Sequence, residues 1–137
     1  MIDLGIAFDK NPNEYNSLVL AFIGDTLNDL YVRSRLISEH SGMSAHKLHE
    51  SASRRVCAHG QSEAVKLIEP ILDEQELAAY KRGRNTKSYT VPKNADVGEY
   101  RRATGFEALL GWLYVSGKSE RIEELLKLVY DAAQQLQ

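Results

Sequence analysis

At 137 residues, with 43% hydrophobic side chains and a formal net charge of −2, the chain has the length of one domain around a single core, about 100–200 residues being usual. Its longest unbroken apolar run, Leu18 to Ile23, is far short of the roughly 20 residues of a membrane helix, and its amino end has acids and no basic run, unlike a signal peptide. One cysteine, Cys57, excludes an intrachain disulfide, so a reducing, cytoplasmic setting without membrane is expected.

The pattern reads as helix throughout. Asn13 is the expected N-cap of a first helix over about 14–38, in which Leu18, Leu20, Phe22, Ile23, Leu27, Leu30, Tyr31 and Ile37 recur at helical spacing until Gly42. Ser44 caps a second helix through AHKLHESASRRVCAHG, and a third runs from about Gln61 to Pro70. Asp73 with Glu76 forms a capping box ahead of EQELAAYKRGR, and after a loop from about Asn85 to Asn94 the same arrangement, Asp96 with Glu99, opens a fifth helix that Gly117 stops. A last amphipathic helix starts at Ser119 with the stripe Ile122, Leu125, Leu126, Val129. No stretch alternates long enough for a sheet. The expectation is an all-α, single-domain helical bundle over 1–137.

Two helices break their own pattern in the same way. In LVLAFIGDTLNDLYV, Gly24 and Asp25 stand where the apolar stripe should continue, and in TGFEALLGWLYV a lone Glu107 lies among apolar residues between Gly105 and Gly111. Glycine lowers helix stability by about 1 kcal/mol against alanine, and a carboxylate in apolar surroundings is costly unless paired. Neither acid has a cation three or four residues away on its own helix. An arginine or backbone donor from elsewhere in the fold would meet the need. So would a hard divalent cation, since magnesium is commonly held by one or two carboxylates together with substrate phosphate oxygens.

Charge is unevenly distributed. Residues 80–102 hold seven bases, Lys81, Arg82, Arg84, Lys87, Lys93, Arg101 and Arg102, against Asp96 and Glu99, so this segment is +5 and the rest of the chain −7. With Asn85, Thr86, Ser88, Tyr89, Thr90 and Asn94 interleaved, it suits contact with phosphates; a solvated loop is the alternative. His46, His49, Cys57 and His59 match no familiar zinc spacing.

FIGDTLNDLYV resembles the signature helix of the ribonuclease III family, and ATGFEALLGWLYV resembles its second acidic motif. The longer stretch KRGRNTKSYTVPKNADVGEYRRATGFEAL is similar to the branch called Mini-ribonuclease III, which consists of the catalytic domain alone, and the match spans about Asn16 to Leu128. The resemblance implies a helical endonuclease domain, a homodimer, magnesium dependence, double-stranded RNA as substrate, and maturation of the large-subunit (23S) ribosomal RNA precursor in bacteria, with a ribosomal protein as helper. By position it implies Asp25 and Glu107 as catalytic metal ligands. The larger family has further acids where this chain has Leu18, Ala21 and Thr104, so a second metal per site is not implied.

Arg82, Arg84, Asn85, Lys87, Lys93, Arg101 and Arg102 are then the expected RNA contacts. Asp29 and Glu50 are candidates for orienting metal-bound waters, with Arg33 as an alternative partner for Asp29. Phe22 is a candidate for the self-complementary dimer patch, and Trp112 and Tyr114 are candidates for core or dimer contacts. Two other readings compete: a catalytically silent RNA-binding or ribosome-assembly module of the same fold, and a helical nucleotide pyrophosphatase, which needs several clustered glutamates.

Overall fold

The helices begin where polar side chains take up the first free backbone amides. In the computed structural model, which describes residues 3–87, 91 and 93–135, a short 3₁₀ turn at Pro12–Glu14 precedes α1 (Ser17–Glu39), α2 (Ala45–Val56), α3 (Ala58–Ile68), α4 (Glu74–Asn85), α5 (Val97–Val115) and α6 (Ser119–Gln135). No strand occurs among the described residues, and no helix is long and apolar enough to cross a membrane. Ser44 caps α2 through the Lys47 amide. Asp73 and Glu76 make the reciprocal capping box of α4.

Three boundaries differ from the sequence expectation. Asn16, not Asn13, caps α1. Asn13 sits in the 3₁₀ turn, and its Oδ1 accepts from Trp112 Nε1 and Arg82 Nη2, both at 2.9 Å, so distant partners claim the side chain that local spacing assigned to a cap. Cys57 is extended and separates α2 from α3, three residues before the expected Gly60. Asp96 accepts from the Glu99 amide at 2.9 Å, but the Glu99 carboxylate turns to His59 Nδ1, 2.6 Å away. The second capping box is therefore half formed.

Helix α5 is the centre of the bundle, with Phe106, Leu109, Leu110 and Leu113 fully buried and α1, α3 and α4 packed around it. A helix enclosed on several sides is apolar nearly all round. Its contact with α1 is direct backbone packing. A Cβ placed on Gly24 would overlap the Glu107 carbonyl oxygen, and one placed on Gly111 would overlap the Leu20 carbonyl oxygen. The two glycines thus interlock in reciprocal fashion, which sets α1 and α5 as close as two helices come.

Gly111→Ala tests this contact. Alanine favours the helix by about 1 kcal/mol, but the clash is with backbone that no rotamer change relieves, and overpacking costs about 1–3 kcal/mol or more. A net loss of stability is expected in urea denaturation. An equally stable variant would show that the helices separate freely.

Candidate active site

The interlocked glycines place the two anomalous acids together. Asp25 follows Gly24 on α1, and Glu107 is the residue whose backbone Gly24 touches. Glu107 is half-buried and Asp25 is exposed at the rim. The Glu107 pKa is pushed up to about 8, first by burial and then by the hydrogen bond and charge of Asp25 beside it. The groups that act on it are Asp25 and Gln61, and neither is a cation. An ordinary structural ion pair is therefore not what Glu107 has.

Gln61, from the first turn of α3, is the third side chain at this point. It is 3% exposed, and it lies close enough to Glu107 to favour the charged carboxylate. Its Nε2 nevertheless has no hydrogen-bond partner in the protein. Two neighbouring carboxyl groups, offering only oxygen ligands and with no cation acting on Glu107, are a fitting set for a hard divalent cation. The sequence reading overlooked Gln61. Its signal is the spacing Gln61, Ala64, Val65, Ile68, which puts a glutamine on the core-facing stripe of α3.

The other acids have their own partners. Asp29 accepts from Arg33 Nε at 2.8 Å, the alternative named above, and Glu50 pairs with His46 at 2.8 Å on the exposed face of α2. His59, Glu63 and Glu99 bring ligand-type atoms within 4.8 Å of one another. In that cluster Glu99 already binds His59 and Glu63 pairs with Lys66 at 3.0 Å.

The basic segment lies on the last turn of α4, the connection after it and the first turns of α5. Arg82 is held by Asn13. Arg84 donates to Asn85 Oδ1 at 3.1 Å and lies over the Tyr80 ring. Lys87, Lys93 and Arg101 are exposed, and Arg102 is half-buried with its Nε donating to Ser62 Oγ at 2.7 Å. Ser88, Tyr89, Thr90 and Pro92 lie outside the described residues. Trp112 is 4% exposed and Tyr114 packs edge-on against Phe8. Of the two roles expected for Trp112, core or dimer contact, the structure gives it the core, with its Nε1 tied to Asn13.

A helical bundle that crosses two glycine-bearing helices and sets one acid from each at the crossing defines a ribonuclease III-type catalytic domain. The family model described as "Ribonuclease III domain" matches residues 18–118. The chain is 43% identical to the Mini-ribonuclease 3 of Clostridium tetani, over 92% of this chain and 84% of that protein. It is 46% identical to that of Brevibacillus brevis, over 88% and 90%. A crystal structure of a protein from Fusobacterium nucleatum superposes with a TM-score of 0.80 at 31% identity, over 91% of this chain and 99% of that one. The chain belongs to the Mini-ribonuclease 3 branch of the ribonuclease III family, and it is an endoribonuclease of the ribonuclease III type.

The titration of Glu107 has a measurable consequence. The folded chain keeps this proton to about 8, whereas an ordinary glutamate releases it near 4.5. The folded state binds more protons between those values, so stability of the metal-free protein falls as pH rises through that window. Urea melts in chelator at pH 5 and pH 8 should show the fall, and Glu107→Gln should remove it while keeping the fold. A parent protein whose stability is flat across the window would contradict the buried pair.

Proposed function

We propose that the chain cleaves double-stranded RNA as a magnesium-dependent homodimer in the bacterial cytoplasm, and that its substrate is the precursor of large-subunit (23S) ribosomal RNA. The observation that carries the reading is the Asp25–Glu107 pair, two carboxylates in mutual contact with no cation acting on Glu107. An inert RNA-binding module has no use for such a pair, and a pyrophosphatase gathers more acids than the two found here. The choice of RNA follows from the likeness to Mini-ribonuclease 3 and from the basic segment. The expectation of a ribosomal-protein helper has no support in the structure or the comparisons and is not part of the proposal.

In this reading Asp25 and Glu107 would hold the ion. When bound, magnesium supplies Lewis-acid stabilisation of a phosphate oxygen and an acidified water. The remaining work belongs to the chain. Lys87, Lys93 and Arg101 meet the phosphates of the duplex, whose recognition rests on shape, phosphates and 2′ hydroxyls. Arg82, Arg84 and Arg102, steadied by Asn13, Asn85 and Ser62, present their remaining N–H groups from fixed positions. Asp25→Asn and Glu107→Gln should each lower cleavage of labelled duplex by about 100-fold or more without loss of helical circular dichroism. Retained cleavage in either would remove the metal pair from the mechanism.

Phosphate contact is read by salt. Lys87→Ala and Lys93→Ala should each flatten the log–log dependence of duplex binding on salt by about one unit. An unchanged slope would return these residues to ordinary surface.

The dimer is argued from α1. Its outer face exposes Val19, Phe22, Leu30 and Ile37, with Phe22 80% accessible. Spaced by three, eight and seven residues, about one or two helical turns, these positions fall on the side turned away from Gly24. Such a stripe suits an isologous contact, and two sites related by a two-fold axis suit the antiparallel strands of a duplex. Phe22→Asp should convert the sedimenting species from dimer to monomer and suppress cleavage of both strands in one encounter. A Phe22→Asp protein that remains dimeric would move the interface elsewhere.

A further inference from the structure

We propose that Gln61 is a positioning residue of the metal centre, its side-chain amide turning the Glu107 carboxylate toward the cation; this inference rests on the reading of Asp25 and Glu107 as metal ligands. The side chain occupies the core-facing stripe of α3 with Ala64, Val65 and Ile68, a place that leucine or methionine would fill with no polar atom to satisfy. Instead the fold buries an amide to 3% exposure and leaves its Nε2 without a partner. An orphaned buried donor costs about 1–3 kcal/mol, and native structures hold few of them.

The neighbourhood of the orphan explains it. Gln61 is near enough for its amide to act on the Glu107 carboxyl, although Nε2 does not reach the geometry of a formed hydrogen bond. A carboxylate that gives one lone pair to a metal has others left to accept from a donor, and such outer hydrogen bonds fix the orientation of metal ligands. Lysine or arginine here would neutralise Glu107 and compete with the ion. Asparagine, one methylene shorter, would fall back from the carboxylate. Glutamine supplies the N–H without the charge. The buried, unpartnered Nε2 is thus a donor available to the Glu107 carboxylate once that group ligates the ion.

The test is Mn²⁺ binding without RNA, measured by electron paramagnetic resonance, together with urea melts in chelator. Gln61→Met is the principal variant and Gln61→Leu the second, so that misfolding of one does not remove the comparison. Affinity for Mn²⁺ should fall about 10-fold or more while metal-free stability is unchanged or higher, because an unsatisfied polar group has been removed. A residue of merely structural value would show the opposite, lower stability with affinity intact, and that result in either folded variant overturns the inference. Asp25→Asn serves as the control for the site itself. If the parent's Mn²⁺ affinity survives that substitution, the metal site is wrongly placed and the inference falls with it; if affinity is lost in Asp25→Asn but kept in Gln61→Met, the role of Gln61 alone is refuted.

Discussion

The structure turns on the backbone contact between α1 and α5. Gly24 meets the Glu107 carbonyl and Gly111 meets the Leu20 carbonyl, so each helix supplies the gap that the other fills. Glycine is unfavourable inside a helix, and its presence in both is explained by separation: with any side chain at either position the helices would stand further apart. The consequence for chemistry is immediate. Asp25 and Glu107 are close because their backbones are close, and their relative position is fixed by packed main chain, which side-chain motion does not alter.

The same bundle shows how it treats a buried acid that has only a structural task. Glu76 is 2% exposed, caps α4 through the Asp73 amide, and receives two N–H bonds from Arg121 at 2.8 and 2.9 Å. Arg121 holds its carboxyl below the usual carboxylate range. Glu107 shifts the other way, upward to about 8, first because burial penalises its charge and then because its neighbour Asp25 is another acid. One fold thus holds a buried carboxyl paired with an arginine and another whose neighbour is an acid. The second is the one that a bound cation would relieve, and a ligand that binds only the folded state would stabilise it.

What could be read from sequence was what local chemistry decides. The caps at Ser44, Asp73 and Asp96 are set by side chains bonding amides three residues on. The glycine–acid coincidence in α1 and α5 was legible because a polar residue interrupts an otherwise apolar stripe. The parts that escaped were decided by distant partners. Asn13 is a good cap by spacing, but Trp112 and Arg82 reach its side chain from the far end of the chain. The second capping box fails because His59 takes the Glu99 carboxylate. Trp112, expected either in the core or at the interface, is core, and the distant partner Asn13 holds its Nε1. Gln61 was available as an interruption of a core stripe like the two acids, but uncharged, and so it carried less weight than it should.

Helix α1 joins the proposed functions of the molecule. Its inner face holds Gly24 against α5, Asp25 stands at the rim, and its outer face exposes Phe22, Val19, Leu30 and Ile37. A helix is stiff over this length, about 35 Å at 1.5 Å per residue, so pairing through the outer face would fix the separation and angle of the two Asp25–Glu107 pairs without any loop between them. The phosphate contacts are arranged on the same principle. Arg101 and Arg102 precede Glu107 on α5 by five or six residues, roughly 8–9 Å along the axis, and α4, which carries Arg82 and Arg84, is locked to α5 where Gly83 meets Ala108 and Gly105 meets Tyr80. The proposed ligands for the ion and the proposed anchors for the RNA backbone therefore share one rigid body. Tight glycine-mediated helix packing would hold a phosphate in register with the two acids without relying on a loop.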